Sequence, residues 1–487
     1  MTHGHEKSDF AIVAMKPANK AEQPAAEQSA AEPTATEPVE RRAETKGNAG
    51  QQSTHRAQSR ASVSQALERI RRVAKERKKE KFTSLFHHIS IDLLDEAFFE
   101  LKENAAPGVD GLTWKDYEQD LERNLEDLHA RVHRGAYRAL PSRRTYIPKP
   151  DGRQRPLAIA NAIYEEDFLG FSYGFRPERS AHHALDALVV GIESMKVSWI
   201  LDADIRSFFD EISQEWLVRF LEHRIGDRRI IRLIQKWLKV GVLEDGIVTV
   251  SGRGTGQGSV ISPLLANIYL HYALDLWAER WRRREATGDM IIVRYADDFI
   301  VGFQHEADGR RFLDEMRKRL QEFALSLHPE KTRLIEFGRF AARDRKERGL
   351  GKPETFNFLG FTFICGKSRR GKFLLKRKTR RDRMRAKLRM VKEDMRRRMH
   401  QPIPQQGKWL GHVVRGYFNY HAVPTNLRAL VAFRAEIAKR WLRVLTRRSE
   451  RSDLTWARMN RLIDDWLPQP RILHPWPSQR FAVTYLR

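Results

Sequence analysis

Tyr295-Ala296-Asp297-Asp298 lies between two apolar runs, residues 290–293 and 299–303, and its reading decides the fold. Both runs have the length and β-rich composition of strands. Side chains alternate faces along a strand, so two consecutive aspartates inside one would point apart. At the tip of a tight hairpin both carboxylates converge instead. Adjacent carboxylates repel unless a cation lies between them, and hard oxygen ligands select Mg2+ or Mn2+. Most Asp-Asp pairs are solvated turn residues; the flanking strands set this one apart. A second source of carboxylate lies upstream, where the apolar run Ser198-Trp199-Ile200-Leu201 enters Asp202-Ala203-Asp204-Ile205-Arg206-Ser207-Phe208-Phe209-Asp210. Asp204, at the end of that strand and expected to be buried by apolar neighbours, is placed to lie beside the hairpin in one sheet. Three carboxylates suffice to hold two divalent ions about 3.5–4 Å apart, the clamp used for in-line phosphoryl displacement. The plainer alternative makes Asp202, Asp204 and Asp210 caps of a helix beginning near Ser213. It suits Asp210 and leaves Asp204 unexplained.

Outward from this centre the pattern mixes elements. Amphipathic helices are expected over 91–101, 117–133 and 180–194, and strands over 145–148, 198–201, 290–295, 299–303, 332–337 and 356–363. Short strands with unequal helical insertions indicate an α+β fold rather than a regular βαβ array. After Lys378 the chain reads as almost wholly helical. Met384, Leu388, Val391, Met395 and Met399 form one apolar stripe at helical spacing, and Arg380, Arg381, Arg385 and Arg389 are among the basic residues covering the other faces. A solvated helix usually mixes charge signs, so this one suits the tracking of a phosphate backbone. Trp409, Tyr417, Phe418, Tyr420 and Trp441 are available for stacking on unpaired bases, but most of them are assigned to a small helical core.

Composition sets the outer limits. At 487 residues the chain exceeds one typical domain. Lys and Arg number 89 against 63 Asp and Glu, a formal net charge of +26. From Lys367 to the C-terminus there are 32 basic against eight acidic side chains, so nearly all the imbalance sits in the final quarter. Such a charge calls for a polyanion, with nucleic acid the leading partner. The single Cys365 excludes an intramolecular disulfide framework and a paired-cysteine zinc site. No apolar run approaches the ~18 residues of a membrane span. Residues 1–60, rich in Ala, Glu, Gln, Pro, Ser and Thr, are expected to be a disordered tail. The expected localisation is cytoplasmic.

With these residues in place the chain resembles the group II intron branch of the reverse transcriptases. Tyr295–Asp298, with Asp204 upstream, resembles the YxDD box and its partner aspartate. Asn104-Ala105-Ala106-Pro107-Gly108-Val109-Asp110-Gly111 is similar to the N-terminal extension motif, and the segment 146–157 to the fingers hairpin. Ser172-Tyr173-Gly174-Phe175-Arg176-Pro177, Gly254-Thr255-Gly256-Gln257-Gly258, Leu327-His328-Pro329-Glu330-Lys331-Thr332, Phe358-Leu359-Gly360-Phe361 and Arg415-Gly416-Tyr417-Phe418-Asn419-Tyr420 follow in the family's order. The resemblance covers roughly residues 85–480. It implies a right-hand polymerase with an antiparallel palm sheet, fingers and palm over 61–378, and an all-helical thumb/maturase (X) domain over 379–487. It also implies RNA-directed DNA synthesis by two-metal nucleotidyl transfer and assistance to intron splicing. Asp204, Asp297 and Asp298 would hold two Mg2+ ions, with Mn2+ possible.

The same resemblance distributes the remaining roles. Pro150-Asp151-Gly152 is a turn signal between β-rich arms, and Lys149 and Arg155 on this basic hairpin would grip the triphosphate. Gln257 would contact nucleotide or template, in a loop where Gly256 replaces the Pro of many relatives. Phe208 and Phe209 alternate faces; the family's pattern favours Phe209 as the gate against a 2′-hydroxyl. Arg176 and Lys331 are candidates for template–primer or nucleotide contacts, surface salt bridges being the equal alternative. The implied partners are intron RNA, an RNA template with DNA primer, dNTPs and a DNA target, with no membrane.

Two departures stand out. Relatives carry an amphipathic helix between the segments matching Ala160 and Asn161, and about fifteen residues, or ~22 Å of helix, are missing here. This admits a second reading, a splicing maturase with impaired polymerase. No cysteine-built HNH nuclease is expected, so a mobile element would take its primer from elsewhere, such as a replication fork. Recruitment to phage defence or spacer acquisition is a third reading, disfavoured by the maturase-like C-terminal region.

Overall fold

The computed structural model describes residues 49–101, 103, 110–140, 142–143, 158–239, 242–244, 247–249, 254, 262–448 and 455–485. In chain order the elements are α1 (Ala49–Glu76), α2 (Ile91–Phe99), α3 (Trp114–Glu118), α4 (Leu121–His133), β1 (Ser142–Arg143), α5 (Ala158–Tyr164), α6 (Ala181–Ser194), β2 (Trp199–Asp204) and α7 (Phe208–Glu211). Next come α8 (Gln214–Leu221), α9 (Arg228–Leu238), β3 (Val242–Glu244), β4 (Ile247–Thr249), α10 (Ser262–Leu270), α11 (Leu276–Arg284), β5 (Met290–Tyr295), β6 (Asp298–Phe303), α12 (Glu306–Glu322) and β7 (Arg333–Glu336). The chain continues through α13 (Ala341–Glu347), β8 (Phe356–Phe358), β9 (Phe361–Lys367), β10 (Phe373–Thr379), α14 (Arg381–Arg397), α15 (Ile403–His421), α16 (Leu427–Arg447), α17 (Trp456–Trp466) and α18 (Pro477–Tyr485).

Local chemistry sets several boundaries. Ser180 caps α6 by accepting from the His183 N–H, and Ser213 caps α8 by accepting from Trp216. Asp210 therefore does not cap that helix; it lies within the short α7. The helix expected over 117–133 is two helices. Asp120 leaves helical geometry at φ −121°, and the Asn124 side-chain amide satisfies the freed Tyr117 carbonyl at 3.0 Å. The strand expected over 356–363 folds back at Leu359-Gly360, both at positive φ. The strand expected over 145–148 lies outside the described residues. Of the tail expected over 1–60, the final stretch from Ala49 belongs to α1 and the rest lies outside the described residues.

The chain forms two compact units. The first contains 169–208 and 270–487. Its central sheet has the order β5-β6-β2-β7, antiparallel throughout. One cluster joins Ala184, Leu185, Leu188 and Ile192 of α6 to Ile200, Ile291, Val293 and Ile300 of the sheet, and to Phe356, Phe361 and Phe363 of the second sheet, β10-β9-β8. Phe312, Met316 and Leu320 of α12 are buried, with Phe312 against Phe303 and Trp281. α14–α17 make a helical core of their own around Leu388, Val391, Leu410, Phe433, Trp441 and Ile463. The stripe expected on α14 faces it: Leu388, Val391 and Met395 are buried, and Met384 and Met399 pack at its edge. Tyr417, Phe418 and Trp441 are core residues as well.

The second unit contains 16–168 and 209–269. The residues flanking the shortfall after Ala160 join in one continuous helix, α5, whose Ala158, Ile159, Ala160, Ala162, Ile163 and Tyr164 are all buried. The Tyr164 hydroxyl donates to the Leu221 carbonyl at 2.9 Å. Arg224, 3% exposed at its side chain, donates to the carbonyls of Lys78 and Ala74 and pairs with Asp167 at 2.6 Å. No described helix is long and apolar enough to cross a membrane.

Candidate active site

The β5–β6 hairpin pairs Tyr295 with Asp298, which leaves Ala296 and Asp297 as its two-residue turn. A turn this tight needs left-handed backbone, and Ala296 has φ +58°. Alanine pays a steric penalty there, so the conformation must be held from outside. Arg294 holds it. Fully buried, it donates to the Ala296 carbonyl at 2.9 Å, to Ser172 Oγ at 2.7 Å and to both carboxylate oxygens of Asp275 at 2.7 and 2.5 Å. Gly174 comes against the same turn, and a Cβ on it would lie 2.3 Å from the Ala296 nitrogen. The Ser172–Pro177 motif thus braces the turn from behind.

Asp204 closes β2 directly opposite Asp298 in the antiparallel register. Directly opposed residues share a sheet face, with Cβ atoms roughly 4.5–5.5 Å apart. Asp202, two residues earlier, shares that face too. The turn after Leu327 is tied to the end of β2, with the His328 N–H donating to the Asp204 carbonyl at 2.8 Å. It delivers Lys331, whose Nζ lies 2.7 Å from Asp204 Oδ2. Asp204 is not buried as expected: its side chain is 35% exposed, because it ends the strand and opens toward Lys331.

Asp298, likewise half-buried, is the more strongly desolvated of the two. Burial pushes the Asp298 carboxyl up to about 7, reinforced by the like charges of Asp202, Asp297 and Asp204 and opposed by the Leu359 N–H. Burial likewise raises Asp202 to about 6, against the pull of Arg333. Four carboxylates crowded at one sheet end favour a cation among them. The donors are all hard oxygens, and the Lys331 ammonium already stands as a positive charge on one of them; the set fits Mg2+ or Mn2+. As the side chains stand, no group of three His, Cys, Asp or Glu residues is arranged to hold a metal ion among the described residues.

The other expected residues divide. Phe208 is buried and Phe209 half-buried, and both open the short helix α7, so their faces do not alternate as expected of extended chain. Gly254 packs on the turn carrying Phe209: at φ +83° a Cβ would come within 2.9 Å of the Phe209 carbonyl. Lys149, Arg155 and Gln257 lie outside the described residues, as does most of the 104–111 motif. Arg176, expected at template–primer or nucleotide, is only 5% exposed and donates to the carbonyls of Leu169 and Ser172 at 2.7 and 2.8 Å. Its guanidinium is committed to the loop that braces the hairpin, not to a nucleic-acid surface. Arg381, Arg385 and Arg389 line one exposed face of α14 and make no ion pair among the described residues, while Arg380 is bound to Asp382 at 2.7 Å. The sequence offers Asp202 only as a helix cap and gives no sign of Asp275; an arginine within the apolar run before the Asp-Asp pair is the available signal for Arg294.

A family model described as "Reverse transcriptase (RNA-dependent DNA polymerase)" matches residues 147–363. Protein YkfC of Escherichia coli (strain K12) is 30% identical over 315 residues, 54% of this chain and 77% of that protein. Group II intron-encoded protein LtrA of Lactococcus lactis subsp. cremoris is 33% identical over 222 residues, 42% of this chain and 37% of LtrA. The putative COX1/OXI3 intron 1 protein of Saccharomyces cerevisiae is 23% identical over 427 residues, 70% of this chain and 50% of that protein.

Proposed function

This chain belongs to the reverse transcriptases encoded by group II introns, RNA-directed DNA polymerases and maturases, and we propose that Asp204, Asp297 and Asp298 are its catalytic carboxylates. The observation that carries the assignment is the direct opposition of Asp204 and Asp298 across β2 and β6, at the tip bearing Asp297. These three would hold two Mg2+ ions, with Mn2+ an acceptable substitute. When bound, the ions lower the pKa of the primer 3′-hydroxyl and neutralise charge on the departing pyrophosphate. The protein's own task is to fix the oxygens that hold them. Arg294 and Gly174 keep the turn in its left-handed form, and the β2–β6 ladder keeps Asp204 in register. Lys331 balances charge on Asp204 and would have to give way for that carboxylate to hold an ion.

Substrate contacts complete the reading. Lys149 and Arg155 would bind the dNTP triphosphate, Gln257 the base pair, and Phe209 would exclude a ribose 2′-hydroxyl. Arg381, Arg385 and Arg389, with Arg380 at the head of α14, would follow the backbone of an RNA template and DNA primer, and residues 379–487 as a thumb/maturase domain would also grip intron RNA. The impaired-polymerase alternative rested on the shortfall after Ala160. The flanking segments form one continuous, buried helix, α5, which favours the polymerase reading. Bacterial origin and association with the nucleoid and a DNA target remain part of the proposal.

Primer extension on an RNA template by the wild type and by Asp297→Ala tests the assignment. The substitution is expected to lower the rate at least a thousandfold with primer–template affinity retained. Equal rates in the two proteins would remove these carboxylates from the mechanism.

A further inference from the structure

The chain from Thr355 to Arg381 holds nine Lys or Arg and no Asp or Glu. Within it β9 and β10 form a hairpin, paired from Phe361–Thr379 at its root to Lys367–Phe373 at its tip. Lys367, Arg369, Arg370 and Lys372 crowd the tip, and all four are exposed. Its loop is closed by its own backbone. The Ser368 N–H donates to the Lys372 carbonyl at 2.8 Å and the Gly371 N–H to the Ser368 carbonyl at 3.1 Å, with Gly371 at φ +75°. None of the four cations makes an ion pair among the described residues.

The arm is held in place and its outer edge is taken. β10 is an edge strand, and the N–H groups of Leu375, Arg377 and Thr379 donate to Glu193 Oε1, Thr425 Oγ1 and Asn426 Oδ1, each at 3.0 Å. A further strand finds no row of free donors there. Phe361, Phe363 and Leu375 bury one face of the arm, and Lys376 and Lys378 stand on the other. The Lys376 stem lies across Gly366, where a Cβ would come within 2.6 Å of Lys376 Cε, so its ammonium is carried toward the tip. No large apolar side chain of the hairpin is exposed, so the surface offers a protein or a bilayer nothing to bury. The tip end also lies far from the carboxylates. The Gly338 N–H donates to Cys365 Sγ at 3.4 Å, and a Cβ on Gly338 would lie 2.1 Å from the Val197 carbonyl oxygen, just before β2. Asp204 closes β2 at its other end, about 20 Å along the strand.

We propose that the β9–β10 tip is an RNA-binding element separate from α14, in which Lys367, Arg369, Arg370, Lys372 and the incoming Lys376 hold phosphates of a long, folded RNA. Unpaired cations on a rigid, narrow arm fit a phosphate backbone, and each such contact releases a counterion. Distance selects the occupant. A primer end seated at the carboxylates is about 20 Å from the tip, so the tip serves RNA that extends beyond the reaction, the intron RNA itself. The inference rests on the reading of intron RNA as a partner and is independent of the assignment of the carboxylates.

Fluorescence anisotropy across a salt series, with a labelled group II intron transcript and with a short RNA template–DNA primer duplex, tests the proposal. Phosphate contacts carry no sequence information, so any folded transcript of this class serves as the probe. With Lys367→Ala, Arg369→Ala, Arg370→Ala and Lys372→Ala combined, transcript affinity is expected to fall about ten- to a hundredfold at low salt. The slope of log affinity against log salt should fall by about three, as four phosphate contacts of roughly 0.7–0.9 each require. Affinity for the short duplex and the rate of primer extension should keep their wild-type values. Because charge is what binds, the swapped variant Lys367→Arg, Arg369→Lys, Arg370→Lys and Lys372→Arg should hold the transcript within about threefold of wild type. Unchanged transcript affinity in the alanine variant, a loss without a shallower slope, an equal loss on the short duplex, or failure of the swapped variant to bind would each overturn the proposal. A wild-type protein that extends primers but does not bind the transcript would instead overturn the reading of intron RNA as a partner, and this inference with it.

Discussion

Asp298 is the residue at which the fold works against itself. Its ordinary pKa is 3.8, and burial together with three neighbouring carboxylates raises it to about 7. Between these values the folded chain keeps a proton that the unfolded chain releases. The native state therefore binds more protons there, and without divalent ions stability falls as pH rises from about 4 to about 7, then levels off. Asp298→Asn removes that titration. In EDTA its stability relative to wild type should grow across the same window and reach on the order of 1–3 kcal/mol by about pH 8. Urea denaturation at several pH values measures this, and a difference independent of pH would contradict the like-charge account. Added Mg2+ should narrow the gap by stabilising the wild type.

At the scale of elements, the acidic centre rests on the β5–β6 hairpin and the end of β2. The sequence made the β5–β6 hairpin legible because two apolar runs flank a polar tip, and the end of β2 because an apolar run meets Asp202-Ala203-Asp204. It did not disclose the turn at Leu359-Gly360, since phenylalanines on either side read as one uninterrupted strand. Nor did it disclose Arg294 as the brace, because an arginine inside an apolar strand has no periodic signature. On α14 the apolar stripe was readable, and its complement is the row Arg381, Arg385 and Arg389, four residues apart and exposed. Replacing all three with alanine should weaken RNA binding and reduce the slope of log affinity against log salt by about two units, since each phosphate contact contributes roughly 0.7–0.9. Anisotropy titrations across a salt series give the slope; an unchanged value would place the phosphate-binding face elsewhere.

For the whole molecule, the first unit is fastened by a buried charge centre. Asp186 of α6 accepts from Arg377 of β10 at 3.0 Å and forms an ion pair with Arg480 of α18, Nε to Oδ2 2.9 Å. Asp186 and Arg377 are each 2% exposed at the side chain. Removing one member of such a centre leaves buried charge uncompensated, so Asp186→Ala should destabilise this unit by about 3–5 kcal/mol. Chemical denaturation followed by tryptophan fluorescence would register the loss, and a change under about 1 kcal/mol would show the centre to be dispensable. The sequence alone determined the fold class, the three candidate carboxylates and their hydrophobic frames, because strand and helix periodicities and the order of motifs are local properties of the chain. Only the tertiary structure decided that Asp298 is more strongly desolvated than Asp204, that Arg176 is a brace, and that the Tyr420 hydroxyl meets the Leu359 carbonyl. Burial, pairing and strain arise from segments far apart in the chain being packed together, and no local pattern records which neighbours they will meet.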